Sequence, residues 1–290
     1  MSTLAYEIVD VFTDRPYAGN PLAVVFGGES LDSAQMQLLA REFNLSETVF
    51  VLPSEAGATY RARIFTPEAE LPFAGHPSIG GAVTSVRRGL VEPGEIVQEC
   101  GAGLLPITVT SASATLTGGK PTIGAGLPAA GLLDLVGLAA DDFAGGSALP
   151  ATAGCGLEFV FLPVRREALA RARADAERAR ALAVTGISVF AWDAATRTAY
   201  ARVFCPGVSV AEDPATGSAA LGLGVWLVAN GLLPGDQTSS YTVHQGVEMH
   251  RPSLLRCTAT AEGGSLTLAT VSGHVMPVAV GEIAVPPFIG

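Results

Sequence analysis

The chain predicts an α+β protein of two pseudo-symmetric lobes, each a curved mixed β-sheet wrapped around a central helix. Three observations carry that prediction. One phrase is stated twice: Arg63-Ile-Phe-Thr-Pro67 leads to Gly75-His76-Pro77-Ser78-Ile79-Gly80-Gly81-Ala82, and Arg202-Val-Phe-Cys-Pro206 leads to Glu212-Asp213-Pro214-Ala215-Thr216-Gly217-Ser218-Ala219. Each copy passes from a strand-like segment through Pro to a polar residue, a second Pro and an Ala/Gly-rich helical stretch, with a spacer two residues shorter in the second copy. This alignment makes His76 and Asp213 counterparts. Self-similarity over half the chain points to paired lobes, because stacked repeats recur at shorter periods and in larger number. The length, 290 residues, suffices for two cores. Finally, strands and a single helix alternate in each half too irregularly for a doubly wound parallel sheet.

The elements follow in order. Ala5 to Phe12, Pro21 to Phe26, Thr48 to Leu52 and Tyr60 to Phe65 carry the β-branched and aromatic content of strands, bounded by Gly, Pro, Asn and Asp. Asp32 to Phe43 is a helix, opened by Asp32 and Gln35 at capping-box spacing, with Met36, Leu38, Leu39 and Phe43 for burial. A second helix runs from His76 through Arg88, and its Gly80, Gly81 and Ala82 let a curved sheet enclose it closely. Glu95 to Gln98, Leu104 to Thr110 and Ala114 to Thr117 are further strands. The pattern then loosens from Gly118 to Gly126, which places the lobe boundary at residues 120/121.

In the second lobe, residues 121–274, strands are expected near Phe159 to Val164, Gly186 to Trp192 and Ala199 to Phe204, and a helix over Pro214 to Asn230. Tyr241 to Val243, Ser253 to Ala261 and Ser265 to Thr270 follow as strands. The closing run, Gly273 to Ala284, is a strand pair or a return of residues 275–290 to the first sheet. Arg165 to Arg180, interleaved with Glu167, Asp175 and Glu177, reads as a solvated amphipathic helix.

Bulk composition excludes several function classes. Hydrophobic residues make up 49%, charged residues 15%, and the mean hydropathy is +0.40, so disorder is not expected. The net charge of −10 and pI near 4.8 oppose nucleic-acid binding, which rests on clustered Lys and Arg. The N-terminal residues lack a basic segment followed by an apolar core, which leads to the expectation of a cytoplasmic protein. Cys100, Cys155, Cys205 and Cys257 have neither zinc-site nor disulfide-framework spacing and read as reduced thiols. Ala219 to Leu233 is apolar but too short to span a bilayer.

The candidate chemistry lies at the helix entrances. First-turn backbone N–H groups have no partner within the helix, and the peptide dipoles add about half a positive charge there. Gly75-His76-Pro77 and Thr216-Gly217-Ser218 are therefore placed to bind a carboxylate, with Gly permitting close approach. Pro at a first helical position is also ordinary helix grammar. Asp213 is suited to orient an amine, and His76 to hold or pass a proton near neutrality. Glu47, in the corner Leu45-Ser46-Glu47 between a helix and a strand, becomes a base for a carbon-bound proton if a cleft desolvates it; otherwise it is a solvated surface group.

Asp10-Val-Phe-Thr to Gly19-Asn20-Pro21-Leu-Ala-Val-Val25, Phe43-Asn-Leu-Ser-Glu47-Thr-Val-Phe, Phe65-Thr-Pro to Gly75-His76-Pro77, Glu212-Asp-Pro-Ala-Thr-Gly-Ser218-Ala and Gln245-Gly-Val-Glu-Met-His-Arg251-Pro-Ser253 resemble the phenazine-biosynthesis PhzF-like family over nearly the whole chain. The resemblance implies a diaminopimelate-epimerase-like fold with its active site between the lobes. It also implies a cofactor-independent isomerase, with no metal, acting on a small carboxylic acid by general acid-base catalysis. On that resemblance Glu47, His76 and Asp213 are catalytic, and Asn20, Ser46, Gly75, Gly217 and Ser218 bind substrate. Two positions depart from the family pattern: His250 stands where Gly is usual and Ser78 where Thr is common.

Two alternatives stand beside this reading. A two-thiol epimerase of the same fold needs Cys at both helix entrances, whereas the matching places hold His76 with Gly81 and Asp213 with Ser218. A non-catalytic protein of the same fold would bind a small carboxylate without proton transfer. A homodimer is the expected assembly, and neither nucleic acid nor membrane is an expected partner.

Overall fold

The computed structural model describes residues 2–206 and 211–288; Met1 and residues 289–290, the outer ends of the expected first lobe, and most of the spacer between Pro206 and Glu212 lie outside the described residues. The chain divides into two compact units, Met1–Thr117 with Ser272–Gly290, and Gly118–Val271.

The first unit holds β1 (Thr3–Val11), β2 (Asn20–Phe26), α1 (Ser33–Phe43), β3 (Glu47–Leu52), β4 (Tyr60–Phe65), β5 (Glu70–Leu71), α2 (Gly75–Arg87), β6 (Gly94–Cys100), β7 (Gly103–Val109) and β8 (Ser113–Thr117). β1 pairs antiparallel with β2, β2 parallel with β3, β3 antiparallel with β4, and β4 antiparallel with the short β5 and parallel with β6. The antiparallel β6–β7–β8 run continues the sheet.

The second unit begins with β9 (Pro121–Gly126), α3 (Ala129–Leu135), β10 (Ala151–Cys155), β11 (Leu157–Pro163), α4 (Ala176–Ala181), β12 (Ile187–Asp193), β13 (Thr198–Phe204) and β14 (Glu212–Asp213). It continues through α5 (Gly217–Ala229), β15 (Thr238–Gln245) and β16 (Ser253–Glu262) into β17 (Ser265–Ala284). β17 pairs with β8 and runs antiparallel along β1 from Thr3 opposite Ala284 to Val11 opposite Val275. The closing run thus returns to the first sheet and completes a ring of strands, β1-β2-β3-β4-β6-β7-β8-β17. Within the second unit the pairing senses recur: β10–β11 antiparallel, β11–β12 parallel, β12–β13 antiparallel, β13 with β14 antiparallel and with β15 parallel, β15–β16 antiparallel.

Each unit carries one enclosed helix. α2 is buried from His76 through Ser85, and α5 from Ala219 through Val228, so neither has a polar face. Gly80 explains how α2 approaches so closely: a Cβ there would lie 2.4 Å from Leu22 and 2.9 Å from Val11. Gly222 does the same for α5, where a Cβ would come within 3.0 Å of the Ala153 carbonyl oxygen. Trp226 of α5 meets Phe190 edge-on at 5.1 Å, and Phe50 meets Phe65 at 5.5 Å in the first unit. Full burial of such side chains is worth roughly 1.5–3 kcal/mol each before strain.

α1 follows its sequence signals: Asp32 accepts from the Gln35 backbone N–H and Gln35 returns the bond to the Asp32 N–H. Three expectations need correction. The stretch Arg165 to Arg180 is a 3-10 turn, Arg166–Arg171, and the short α4. Its continuous helix is broken because the Leu169 and Ala172 carbonyls accept from the buried Arg202 guanidinium, while Arg173 N–H donates to Val136 and Asp175 N–H to Leu135. Leu169 and Ala172 are buried, so the segment is not simply a solvated face. The loosened stretch Gly118 to Gly126 contains strand β9, which pairs with β10. The second central helix begins at Gly217, three residues after Pro214, because Glu212 and Asp213 are occupied in β14.

The last point also corrects the internal alignment. Phe65 lies opposite Glu70 and Phe204 opposite Glu212, and Arg63–Glu70 and Arg202–Glu212 are matching ion pairs with shortest contacts of 2.6 and 2.7 Å. From there Leu71-Pro72 leads to Gly75 as Asp213-Pro214 leads to Gly217. His76 therefore corresponds to Ser218, and Asp213 to Leu71. The two sequence phrases misalign because Pro follows both His76 and Asp213, but only Pro77 lies inside a helix.

Candidate active site

In the first unit four side chains meet around the start of α2. α1 ends at Asn44, whose left-handed backbone (φ 50) turns the chain so that Ser46 and Glu47 lead into β3. Asn20 opens β2 opposite Val11, delivered by Gly19 at φ +67, where a Cβ would lie 2.3 Å from the Val11 carbonyl oxygen. The approach to Asn20 is held by Asp10, whose carboxylate accepts from the Tyr17 N–H at 2.6 Å. His76 sits in the first turn of α2, 4% exposed.

The contacts form a chain. Ser46 Oγ donates to Asn20 Oδ1 at 3.1 Å, Asn20 Nδ2 meets His76 Nδ1 at 3.3 Å, and His76 Nε2 lies 3.4 Å from Glu47 Oε2. The Glu47 side chain is 16% exposed, and its Oε2 has no hydrogen-bond partner among the described residues. Burial pushes the Glu47 carboxyl up to about 7, against a smaller opposing effect of the Ser46 hydroxyl. A carboxylate poised near neutrality can take a proton and give it back at physiological pH.

Gly75 begins α2, and the N-cap residue Ala74 offers no side-chain cap. Ser78, also buried, donates to the Ala74 carbonyl and accepts from Gln98, which in turn accepts from Tyr60. This fastens the helix start to β6 and β4.

In the second unit Asp213 ends β14, and Gly217 and Ser218 open α5. Thr216 is the N-cap, but its hydroxyl donates to Asp213 Oδ2 at 2.6 Å and makes no cap bond. Buried Gln245 organises the connection: its Nε2 donates to the Asp213 carbonyl (2.7 Å) and to Thr216 Oγ1 (2.9 Å), and its Oε1 accepts from the Thr216 N–H (3.2 Å). Asp10 and Gln245 were not among the expected site residues, and Thr216 was expected only as part of the Thr216-Gly217-Ser218 helix entrance, although each lies in a motif that carries the family resemblance. Their signal was the unbroken motif itself. His250 stands at φ +57, in the left-handed region that glycine adopts freely and that other residues adopt uncommonly. Among the described residues, no group of three or more His, Cys, Asp or Glu side chains is gathered to hold a metal ion, and no helix is long and apolar enough to cross a membrane.

A helix enclosed by a mixed sheet, with a buried carboxylate and imidazole at its mouth, defines the class. The chain belongs to the phenazine biosynthesis-like family (PhzC-PhzF), whose model matches residues 9–281. Within that family it is an isomerase. An uncharacterized isomerase of Mesorhizobium japonicum is 36% identical, the match covering 98% of this chain and 99% of that protein. The trans-2,3-dihydro-3-hydroxyanthranilate isomerase of Pseudomonas fluorescens is 35% identical over 93% of this chain and 95% of its own length. The crystal structure of a Bacillus anthracis phenazine biosynthesis protein of the PhzF family superposes with a TM-score of 0.87 at 25% identity, covering 98% of this chain and all of that one.

Proposed function

We propose that this isomerase moves a proton on a small unsaturated amino or hydroxy carboxylic acid by general acid-base catalysis without a cofactor, and that Glu47 is the base. The carrying observation is the buried Glu47 carboxylate, with one oxygen lacking a hydrogen-bond partner among the described residues and its pKa raised to about 7. Glu47 takes a proton from an activated carbon, the electron pair shifts along the conjugated system, and protonated Glu47 returns the proton at another carbon. Substrate and product then differ only in the position of one hydrogen and the double bonds.

The substrate class follows the named activity of the Pseudomonas fluorescens relative, which acts on such an acid. The uncapped start of α2 supplies main-chain donors for the carboxylate at Gly75. His76 faces the base and steadies it in both protonation states. Asp213 orients the amine, and Gly217 and Ser218 bind substrate with it. Two pseudo-symmetric lobes of the diaminopimelate-epimerase-like kind are the architecture this reading adopts, supported by the recurrence of pairing senses in the two units.

The test is a screen of small unsaturated amino and hydroxy acids in heavy water, read by mass spectrometry, with wild type and Glu47→Gln side by side. Wild type is expected to yield an isomer, and Glu47→Gln to bind ligand while losing turnover by about 10²-fold or more. Wild-type-like turnover in that variant rejects Glu47 as the base. Ligand binding by wild type with no isomer formed makes the chain a non-catalytic carboxylate binder.

A further inference from the structure

The contact chain ending at Glu47 has a direction. A serine hydroxyl can donate to the oxygen end of a primary amide or accept from its nitrogen end; in the structure Asn20 turns Oδ1 to Ser46, which donates to it at 3.1 Å. The other end, Nδ2, carries only hydrogens, and it lies 3.3 Å from His76 Nδ1. Nδ1 must then accept. A neutral imidazole has one N–H, which places it on Nε2, the nitrogen 3.4 Å from Glu47 Oε2.

The geometry points to Asn20 as a positioning residue that locks His76 in its Nε2–H form, so that the imidazole donates toward the Glu47 carboxylate and cannot accept from it. This departs from the substrate-binding role that the family resemblance suggests for Asn20. Asn20 is fully buried, opens a strand at a fixed register opposite Val11, and follows a glycine that no other residue can replace without meeting the Val11 carbonyl. Such a setting holds an amide in one orientation. At 3.4 Å the two atoms face each other without forming a hydrogen bond, and a catalytic contact of this kind can tighten when substrate is bound.

The lock has a chemical consequence that rests on the proposed role of Glu47. Once Glu47 has taken a proton from carbon, an Nε2 lone pair facing it would accept that proton and divert it from the product. An Nε2–H leaves no such acceptor. The proton stays on Glu47 until it is delivered to the second carbon, and no further proton donor is needed to balance the step.

The imidazole tautomer is directly observable. The chain has four histidines, so nitrogen-15 correlated spectra of the rings resolve into few signals, with that of His76 assigned by its disappearance in His76→Gln. In wild type the proton is expected on Nε2. In Asn20→Asp a carboxylate faces Nδ1 and accepts from it, so the ring proton is expected to move to Nδ1 or a second proton to be gained. The kcat of that variant should fall by tenfold or more, the direction of the large losses caused by a wrongly held catalytic imidazole elsewhere. A wild-type spectrum with the proton on Nδ1 overturns the lock even if Asn20→Asp fails to fold, as does a folded Asn20→Asp whose tautomer is unchanged. If the proton moves as expected while Glu47→Gln keeps its turnover, the lock stands and the assignment of the base falls.

Discussion

The two units pair their strands in the same senses, and the difference lies in what stands at equivalent places. Thr48 lies opposite Phe65 and Ile187 opposite Phe204, so the residue preceding each is Glu47 in the first unit and Gly186 in the second. Ala23 lies beside Thr48 and Val160 beside Ile187, which makes Leu157 the counterpart of Asn20. At the helix entrances His76 corresponds to Ser218. The first unit therefore has carboxylate, imidazole and amide where the second has glycine, hydroxyl and an exposed leucine. A Cβ at Gly186 would lie 2.7 Å from the Phe159 ring, so the second unit has no room for an acid at that place. The strand pairing is repeated and the side chains at equivalent places are not. That asymmetry favours one base acting at two carbons over a matched pair of groups acting on two faces of one carbon.

If the first unit carries the chemistry, it also carries its cost, and this gives the largest effect that tests the comparison. Glu47 is held at about 7 against an ordinary value of 4.5, so the folded protein binds that proton more tightly than the unfolded chain. Stability is unaffected where both states are protonated, falls as pH rises from about 4.5 to 7, and bears the full penalty above 7. The shift corresponds to a penalty on the order of 3 kcal/mol. Urea unfolding of wild type and Glu47→Gln should show the variant's advantage to be small at pH 5 and to grow toward that size by pH 8.5. A difference independent of pH would mean that Glu47 is as well solvated as a surface carboxylate, and the contrast with Gly186 would lose its meaning.

A smaller effect belongs to the second unit, where the proposed role of the network around Asp213 is to position groups without proton transfer. Gln245→Leu keeps the side-chain volume but removes the donor to the Asp213 carbonyl and the acceptor of the Thr216 N–H. Buried groups left unpaired in this way cost about 1–3 kcal/mol each. If the second unit only holds substrate, KM should rise by more than kcat falls. A fall in kcat with KM unchanged would give the second unit a part in the chemistry and break the comparison from the other side.

Many of the elements and candidate residues could be read from the chain before its structure, this division between the units could not, and the omissions have physical causes. The capping box of α1, the strand Tyr60 to Phe65 and the second helix near Gly75 follow from local signals that packing does not overrule. Glu47, His76 and Asn20 stood in conspicuous motifs, but their mutual contacts depend on the side-by-side placement of β2, β3 and α2, a non-local fact. The alignment of His76 with Asp213 failed because Pro marks both a strand exit and a helix entrance; hydrogen-bond register separates the two, and sequence does not. Arg165 to Arg180 has helical periodicity, yet its carbonyls are claimed by Arg202, a partner remote in sequence. Gln245 gave no chemical signal, because an uncharged amide is catalytically silent until its three bonds are seen.

The smallest expected effect concerns the thiols, and it tests whether the asymmetry is real. Two-thiol catalysis would restore symmetry by placing matched acid-base groups in both units. Burial instead pushes Cys155 up to about 11 and Cys257 up to about 12, so both stay protonated at neutral pH, and the helix-entrance positions themselves carry His76 and Ser218. A thiol that does not ionise is neither nucleophile nor base. Cys155→Ala and Cys205→Ala should each leave turnover within about twofold of wild type, because the proposed proton transfer uses neither thiol. Cys155→Ala is expected to lower stability slightly, since that side chain is buried. A tenfold or greater loss of turnover in either variant, with the fold intact by circular dichroism, would bring a thiol into the reaction and leave Glu47 and His76 as an incomplete account of how the proton moves.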